Sequence, residues 1–143
     1  MEDSIIFNQS AIDRGLFRSV SLKKFQEQIQ KNQVTSQDDI FIKPDPEKVS
    51  GMKHGSYDKL DETGKIPEEQ PVEYGDIIIG KVTPIQAVGN STKVFRDSST
   101  IYKDTDPGIV DRTWTGIYTN EGFEMRKMRI RSERIPDVGK LFA

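Results

Sequence analysis

The stretch Ile109-Val110-Asp111-Arg112-Thr113-Trp114-Thr115-Gly116-Ile117-Tyr118-Thr119-Asn120-Glu121-Gly122-Phe123-Glu124-Met125-Arg126-Lys127-Met128-Arg129-Ile130-Arg131 decides the fold. Two runs rich in β-branched, aromatic and alternating residues, 109–119 and 123–131, flank Asn120-Glu121-Gly122. A three-residue connection of this kind closes a hairpin when glycine takes the left-handed position. The sequence therefore predicts a two-stranded antiparallel ribbon. Side chains alternate along a strand, so Lys127, Arg129 and Arg131 share one side, while Arg126 shares the other with Met128 and Ile130. Arg134 prolongs the positive run. Cations at this density can contact nucleic acid or another chain, or they can form a solvated face paired with nearby acids.

Upstream of the ribbon, Ile77-Ile78-Ile79 lies between Gly75 and Gly80, and an unbroken apolar run of this length predicts a strand buried on both faces. Gly75 to Lys81 also matches the glycine and lysine spacing of a phosphate-binding loop. Val82, however, stands where a magnesium-binding hydroxyl is needed, and three isoleucines belong in a strand whose amides are already paired. The strand reading prevails. Residues 39–43 alternate and predict a short strand stopped by Pro44-Asp45-Pro46. Residues 49–75, with four glycines and two prolines, predict a long excursion containing one helical turn at 58–62.

The N-terminal third is read less directly. Ile5-Ile6-Phe7 predicts a buried strand entered without a turn or cap, as if the chain had been cut there. Residues 11–16 predict about one helical turn ended by Gly15. Over 17–31 the two periods compete: Leu22, Phe25 and Ile29 fit a helix face, whereas Val20, Leu22 and Lys24 fit an alternating strand. The local pattern leans towards helix. No internal repeat or low-complexity tract is evident.

At 143 residues, with 34% hydrophobic and 31% charged residues, the chain is long enough for one domain with a thin core. A net charge of -2 excludes a globally basic nucleic-acid binder but leaves room for a local basic stripe. The lack of cysteine excludes disulfides, thiolate metal sites and thiol nucleophiles, and suits a reducing compartment. No run approaches the roughly 18 apolar residues of a membrane span, and no signal peptide opens the chain, so a membrane partner is not expected. The triplets Asn8-Gln9-Ser10 and Asn90-Ser91-Thr92 then count as coincidental matches to a glycosylation pattern.

Few residues offer chemistry. His54 is the only histidine, so a Ser-His-Asp relay or a multi-histidine metal site cannot form within the chain. With Lys53 beside it in a glycine-rich loop, it is a candidate for contact or for simple loop hydrogen bonding. Glu2 and Asp3 are adjacent carboxylates that could help to hold magnesium through water and substrate phosphates. On a regular strand only one of the two would face a given metal.

Three blocks carry a resemblance. Residues 2–19, Glu2-Asp3-Ser4-Ile5-Ile6-Phe7-Asn8-Gln9-Ser10-Ala11-Ile12-Asp13-Arg14-Gly15-Leu16-Phe17-Arg18-Ser19, resemble a signature of the second-largest subunit of multisubunit DNA-directed RNA polymerases. Met52-Lys53-His54-Gly55-Ser56-Tyr57-Asp58-Lys59-Leu60-Asp61 and Gly75-Asp76-Ile77-Ile78-Ile79-Gly80-Lys81-Val82-Thr83-Pro84-Ile85 resemble the same subunit in the same order. The hairpin, entered by Gly108-Ile109-Val110-Asp111 and followed by 129–139, extends the resemblance over nearly the whole chain. The wording is closest to eukaryotic enzymes and to those of large DNA viruses.

The resemblance implies a mainly β fold with short helices. Residues 1–17 would be a hybrid-binding segment, 18–107 a wall or flap region, and 108–143 a hairpin returning to the hybrid-binding β-barrel. It implies an extended strand after Phe17, and this overrides the weak helical pattern. In such a subunit the wall turns the RNA–DNA hybrid and offers a surface to initiation factors, so the chain alone would be inactive. Expected partners are the other polymerase subunits, above all the largest, with the RNA–DNA hybrid and template DNA. Glu2 and Asp3 match an acidic pair near the second magnesium of the assembled enzyme, and no cofactor is expected to bind the chain alone tightly. Arg126, Lys127, Arg129, Arg131, Arg134 and Lys140 are the candidate contacts to nucleic acid or subunits, although Leu141 stands where the family pattern has its lysine. Localisation would be the nucleus for a cellular protein, or host cytoplasm or virion for a viral one. A free-standing β-rich interaction module is the alternative reading.

Overall fold

The computed structural model describes residues 4–139. Its elements are α1 (Gln9–Asp13), β1 (Ser19–Gln28), β2 (Ile40–Phe41), β3 (Val49–Ser50), β4 (Pro71–Val72), β5 (Ile77–Ile79), β6 (Lys81–Pro84), β7 (Phe95–Asp97), β8 (Thr100–Ile101), β9 (Gly108–Tyr118) and β10 (Glu124–Arg134). The described chain is mainly β, as expected. One sheet has the order β1-β10-β9-β4 and curls into a half-barrel; a second runs β2-β6-β7-β3, and β5 pairs with β8.

The predicted ribbon is β9 and β10. Gly122 takes φ 86 and its N–H donates to the Thr119 carbonyl at 2.9 Å, while Thr119 N–H donates to the Phe123 carbonyl at 2.8 Å. The register shifts twice, between Met125 and Lys127 and between Arg129 and Ile130. At the first shift, Gly116 (φ 72) absorbs an extra residue on β9, which is the conformation glycine supplies in a bulge. At the second, Asp111 is the extra residue between the Arg112–Arg129 and Val110–Ile130 pairs.

Beneath the ribbon, Met128 and Ile130 join Val110, Val72, Tyr102, Ile66 and all three residues of β5 in one buried cluster. The isoleucine run is thus buried on both faces as predicted. Phe25 packs on this cluster from β1, its ring 5.9 Å from that of Tyr102. That contact decides the segment after Phe17: β1 pairs antiparallel with β10 from Ser19–Arg134 to Gln28–Met125, so it is a strand, as the resemblance implied. Two local expectations fail. Ile5-Ile6-Phe7 is not a buried strand: no strand is assigned there, Ile6 is 98% exposed, and the Phe7 ring lies 5.3 Å from that of Phe17. Residues 58–62 form turns rather than a helical turn, because the Asp61 carboxylate accepts from Thr63 N–H at 3.0 Å and Lys65 N–H at 3.1 Å, an arrangement that competes with helix. A short helix forms, but at 9–13 rather than over the expected 11–16, with Asn8 accepting from Ser10 N–H at 3.0 Å and Gly15 following at φ 103.

Two close approaches join the sheets. Gly64, at φ 83, accepts a 2.7 Å hydrogen bond from Gly80 N–H, and Gly80 accepts one from Ile42 N–H at 3.2 Å, so three backbones cross with no room for side chains. Nearby, the buried Lys81 ammonium lies 3.0 Å from Glu27 Oε2 on β1 and 3.7 Å from Asp39 Oδ2 beside β2, and donates to the Gln28 carbonyl at 3.3 Å.

Candidate interaction face of the ribbon

Alternation on β10 divides its cations. Arg126 points inward: its guanidinium lies 4.5 Å from the centre of the Phe41 ring, donates to the Thr63 carbonyl and reaches Glu124 at 3.5 Å. Lys127, Arg129 and Arg131 point outward. Arg131 is clamped by two carboxylates, Glu69 at 2.6 Å and Asp111 at 2.9 Å, and these bonds raise the pKa of its guanidinium. Hydrogen bonds from Arg131 and then Arg129 hold the Asp111 carboxyl below the usual carboxylate range. Arg129 itself meets Asp111 at 2.5 Å. Arg134 sits 3.7 Å from Asp106.

The outward side holds more than the sequence singled out. Lys24, Trp114, Ile117, Lys127 and Arg129 line an open cleft of about 290 Å³. The guanidinium carbons of Arg112 and Arg129 lie 5.5 and 5.4 Å from the Trp114 ring centre, within range of cation–π attraction. Lys24, Arg112 and Trp114 were missed because their grouping depends on strand register. Their residue types alone carry no such signal.

The loop with Lys53 and His54 is held from behind. Asp97 Oδ2 accepts from Lys53 N–H at 3.2 Å and from the Tyr57 hydroxyl, and Oδ1 accepts from Ser99 N–H at 2.9 Å. The Lys53 side chain folds back to the Ser99 carbonyl, whereas His54 is exposed. Burial disfavours the Asp97 charge, but the bonds from Ser99, Tyr57 and Lys53 outweigh it and lower its pKa. Burial, and then the Asp97 bond, raise that of Tyr57. A depressed carboxyl contributes stability above its unfolded value of about 3.9, and this is lost as pH falls below it. A raised phenol contributes stability below its unfolded value of about 10, and this is lost as pH rises above it. Melting temperatures measured across pH should therefore fall less steeply below about pH 4 for Asp97→Asn, and less steeply above about pH 10 for Tyr57→Phe, than for the parent. Parallel curves would remove the network from the stability of this loop.

Glu2, Asp3 and Lys140 lie outside the described residues. Among the described residues, no group of three or more His, Asp or Glu is placed to hold a metal ion.

The family model described as RNA polymerase Rpb2, domain 6, matches residues 1–143. The chain belongs to this family. It is 45% identical over 142 residues to "DNA-directed RNA polymerase subunit 2" of Acanthamoeba polyphaga mimivirus, covering 99% of the chain and 12% of that relative. It is 42% identical to "DNA-directed RNA polymerase II subunit 2" of Arabidopsis thaliana, again over 99% of the chain and 12% of the relative. Similarity extends to archaea, with 34% identity to "DNA-directed RNA polymerase subunit Rpo2" of Saccharolobus shibatae over the whole chain and 13% of that protein. The resemblance read from the three motif blocks is borne out, and the chain spans about an eighth of the length of these relatives.

Proposed function

We propose that this chain is an architectural part of a DNA-directed RNA polymerase, steering the RNA–DNA hybrid and template at the rear of the catalytic cleft and offering a surface to initiation factors and other subunits. The observation that carries this reading is the family match along the full length, and the outward sheet face bearing Lys127, Arg129 and Arg131 supports its docking part. Residues 1–17 and 108–143 serve hybrid binding, and 18–107 the wall. These are functional segments rather than folding units, since β1 and β10 share one sheet. Nucleotidyl transfer belongs to the assembled enzyme, with the largest subunit as principal partner, in the nucleus of a cell or in the host cytoplasm or virion of a large DNA virus.

The experiment is photo-crosslinking in an assembled polymerase, with a reactive nucleotide at the upstream end of the hybrid. Crosslinks should fall within this chain. Crosslinks confined to other polypeptides would count against the steering role.

Magnesium enters as part of the assembled enzyme, with Glu2 and Asp3 beside its nucleotide-bound ion. Elongation by Glu2→Ala, Asp3→Ala polymerase should need more nucleotide and more magnesium to reach half-maximal rate. Superimposable kinetics would withdraw both residues from that role.

A further inference from the structure

The outer face of the half-barrel sheet carries a lattice of side chains that spans three strands. Lys24 of β1 stands opposite Arg129 of β10, which stands opposite Arg112 of β9; in the adjacent row stand Gln26, Lys127 and Trp114. Cross-strand partners project to the same side, and neighbouring strands lie about 4.8 Å apart, so four cations crowd around one indole. Of the four, only Arg129 has a carboxylate partner, Asp111. Among the described residues Lys24, Arg112 and Lys127 have none, so three cations without an acid partner stand together on one face.

On the other side of this cationic row lie aliphatic groups. Leu22, Arg131 and Ile109 form the next row, and Val20 follows on β1 opposite Glu133. Val20 is 64% exposed, Leu22 55% and Ile109 38%, so exposed aliphatic side chains flank Arg131 beside the unpaired cations. A phosphate backbone would satisfy the cations but would leave these aliphatic groups bare. A protein segment bearing both acids and aliphatic side chains matches both halves.

We propose that this face docks an acidic, extended segment of a partner protein, its carboxylates met by Lys24, Arg112 and Lys127 and its apolar side chains by Val20, Leu22 and the Trp114–Ile117 cleft. The proposal rests on the docking half of the function above and not on hybrid steering. Rim charges of this kind set the encounter rate and make binding sensitive to salt, while the apolar contacts hold the complex.

Trp114 is the only tryptophan, so indole emission reports the site directly. A soluble peptide of repeated Asp-Asp-Leu-Leu blocks, which when extended presents carboxylates and leucines on the same face, and separately an oligothymidylate, are titrated against the full chain and against the Lys24→Glu, Lys127→Glu variant, with circular-dichroism melts run on both. The peptide should change the emission saturably, more weakly at high salt, and with affinity lowered at least about tenfold in the variant. Should the double reversal unfold, Lys24→Ala at its exposed position serves the same comparison. The proposal is overturned if the parent gives no saturable response to the peptide, if the substitutions leave its affinity unaltered, or if the oligothymidylate binds more tightly at equal ionic strength. Crosslinking of the hybrid in the assembled polymerase is independent of all three outcomes, so failure here leaves the steering role standing.

Discussion

Replacing Lys81 by methionine is expected to lower the unfolding free energy by about 3–5 kcal/mol, measured by urea denaturation. Lys81 lies between Glu27 at 3.0 Å and Asp39 at 3.7 Å, and both its own side chain and that of Asp39 are only 7% exposed. Removing the ammonium leaves two carboxylates facing each other in a poorly hydrated space, with the Glu27 bond from Thr100 Oγ1 (2.7 Å) as partial compensation. Uncompensated buried charge, rather than loss of attraction, is the dominant cost. Adding Glu27→Gln to Lys81→Met should restore part of the loss. A drop below about 1 kcal/mol for Lys81→Met would class the cluster with ordinary surface pairs.

Gly64→Ala should be nearly as severe. An added Cβ would lie 2.7 Å from the Gly80 carbonyl oxygen and 2.9 Å from Ile42 N, both backbone atoms that cannot rotate away, and φ is 83. Forcing an L side chain into the left-handed region costs roughly 1–2 kcal/mol, and overpacking roughly 1–3 more. Gly51→Ala provides the control, since Gly51 also has a left-handed φ of 67 but an open surrounding with nothing within 4 Å. It should show the conformational cost alone. Equal losses at the two positions would mean that the Gly64–Gly80–Ile42 crossing can spread at little cost.

The parts of the fold legible in the sequence are those fixed by neighbours in the chain. The 120–122 loop declares its turn through Gly122, and Ile77–Ile79 declares its burial because only a two-sided core accepts three consecutive isoleucines. Segment 17–31 is ambiguous for a physical reason: one face of β1 packs through Phe25 while the other exposes Val20 and Leu22, so no hydrophobic period stands out. Ile5-Ile6-Phe7 has strand composition, but composition does not fix burial, and Ile5 and Ile6 stay exposed. The candidate site divides the same way. Alternation placed Lys127, Arg129 and Arg131 on one side of β10, whereas Lys24, Arg112 and Trp114 joined them only through a cross-strand register altered by two bulges. The Glu69 and Asp111 clamps on Arg131, and the Asp97 network behind Lys53, are likewise products of tertiary approach.

The pairing of β1 with β10 also constrains the order of assembly. Its partners lie roughly a hundred residues apart along the chain, from Ser19–Arg134 to Gln28–Met125, so this contact ranks among the slowest to find by random search. At about 5–20 residues per second of synthesis, β1 emerges several seconds before the strand that completes it. Throughout that interval Leu22 and Phe25 are flanked by Lys23 and Lys24, charges of the kind that discourage a bare strand from sticking to its copies. The lysines on β1 thereby guard the nascent polypeptide before they serve the finished protein.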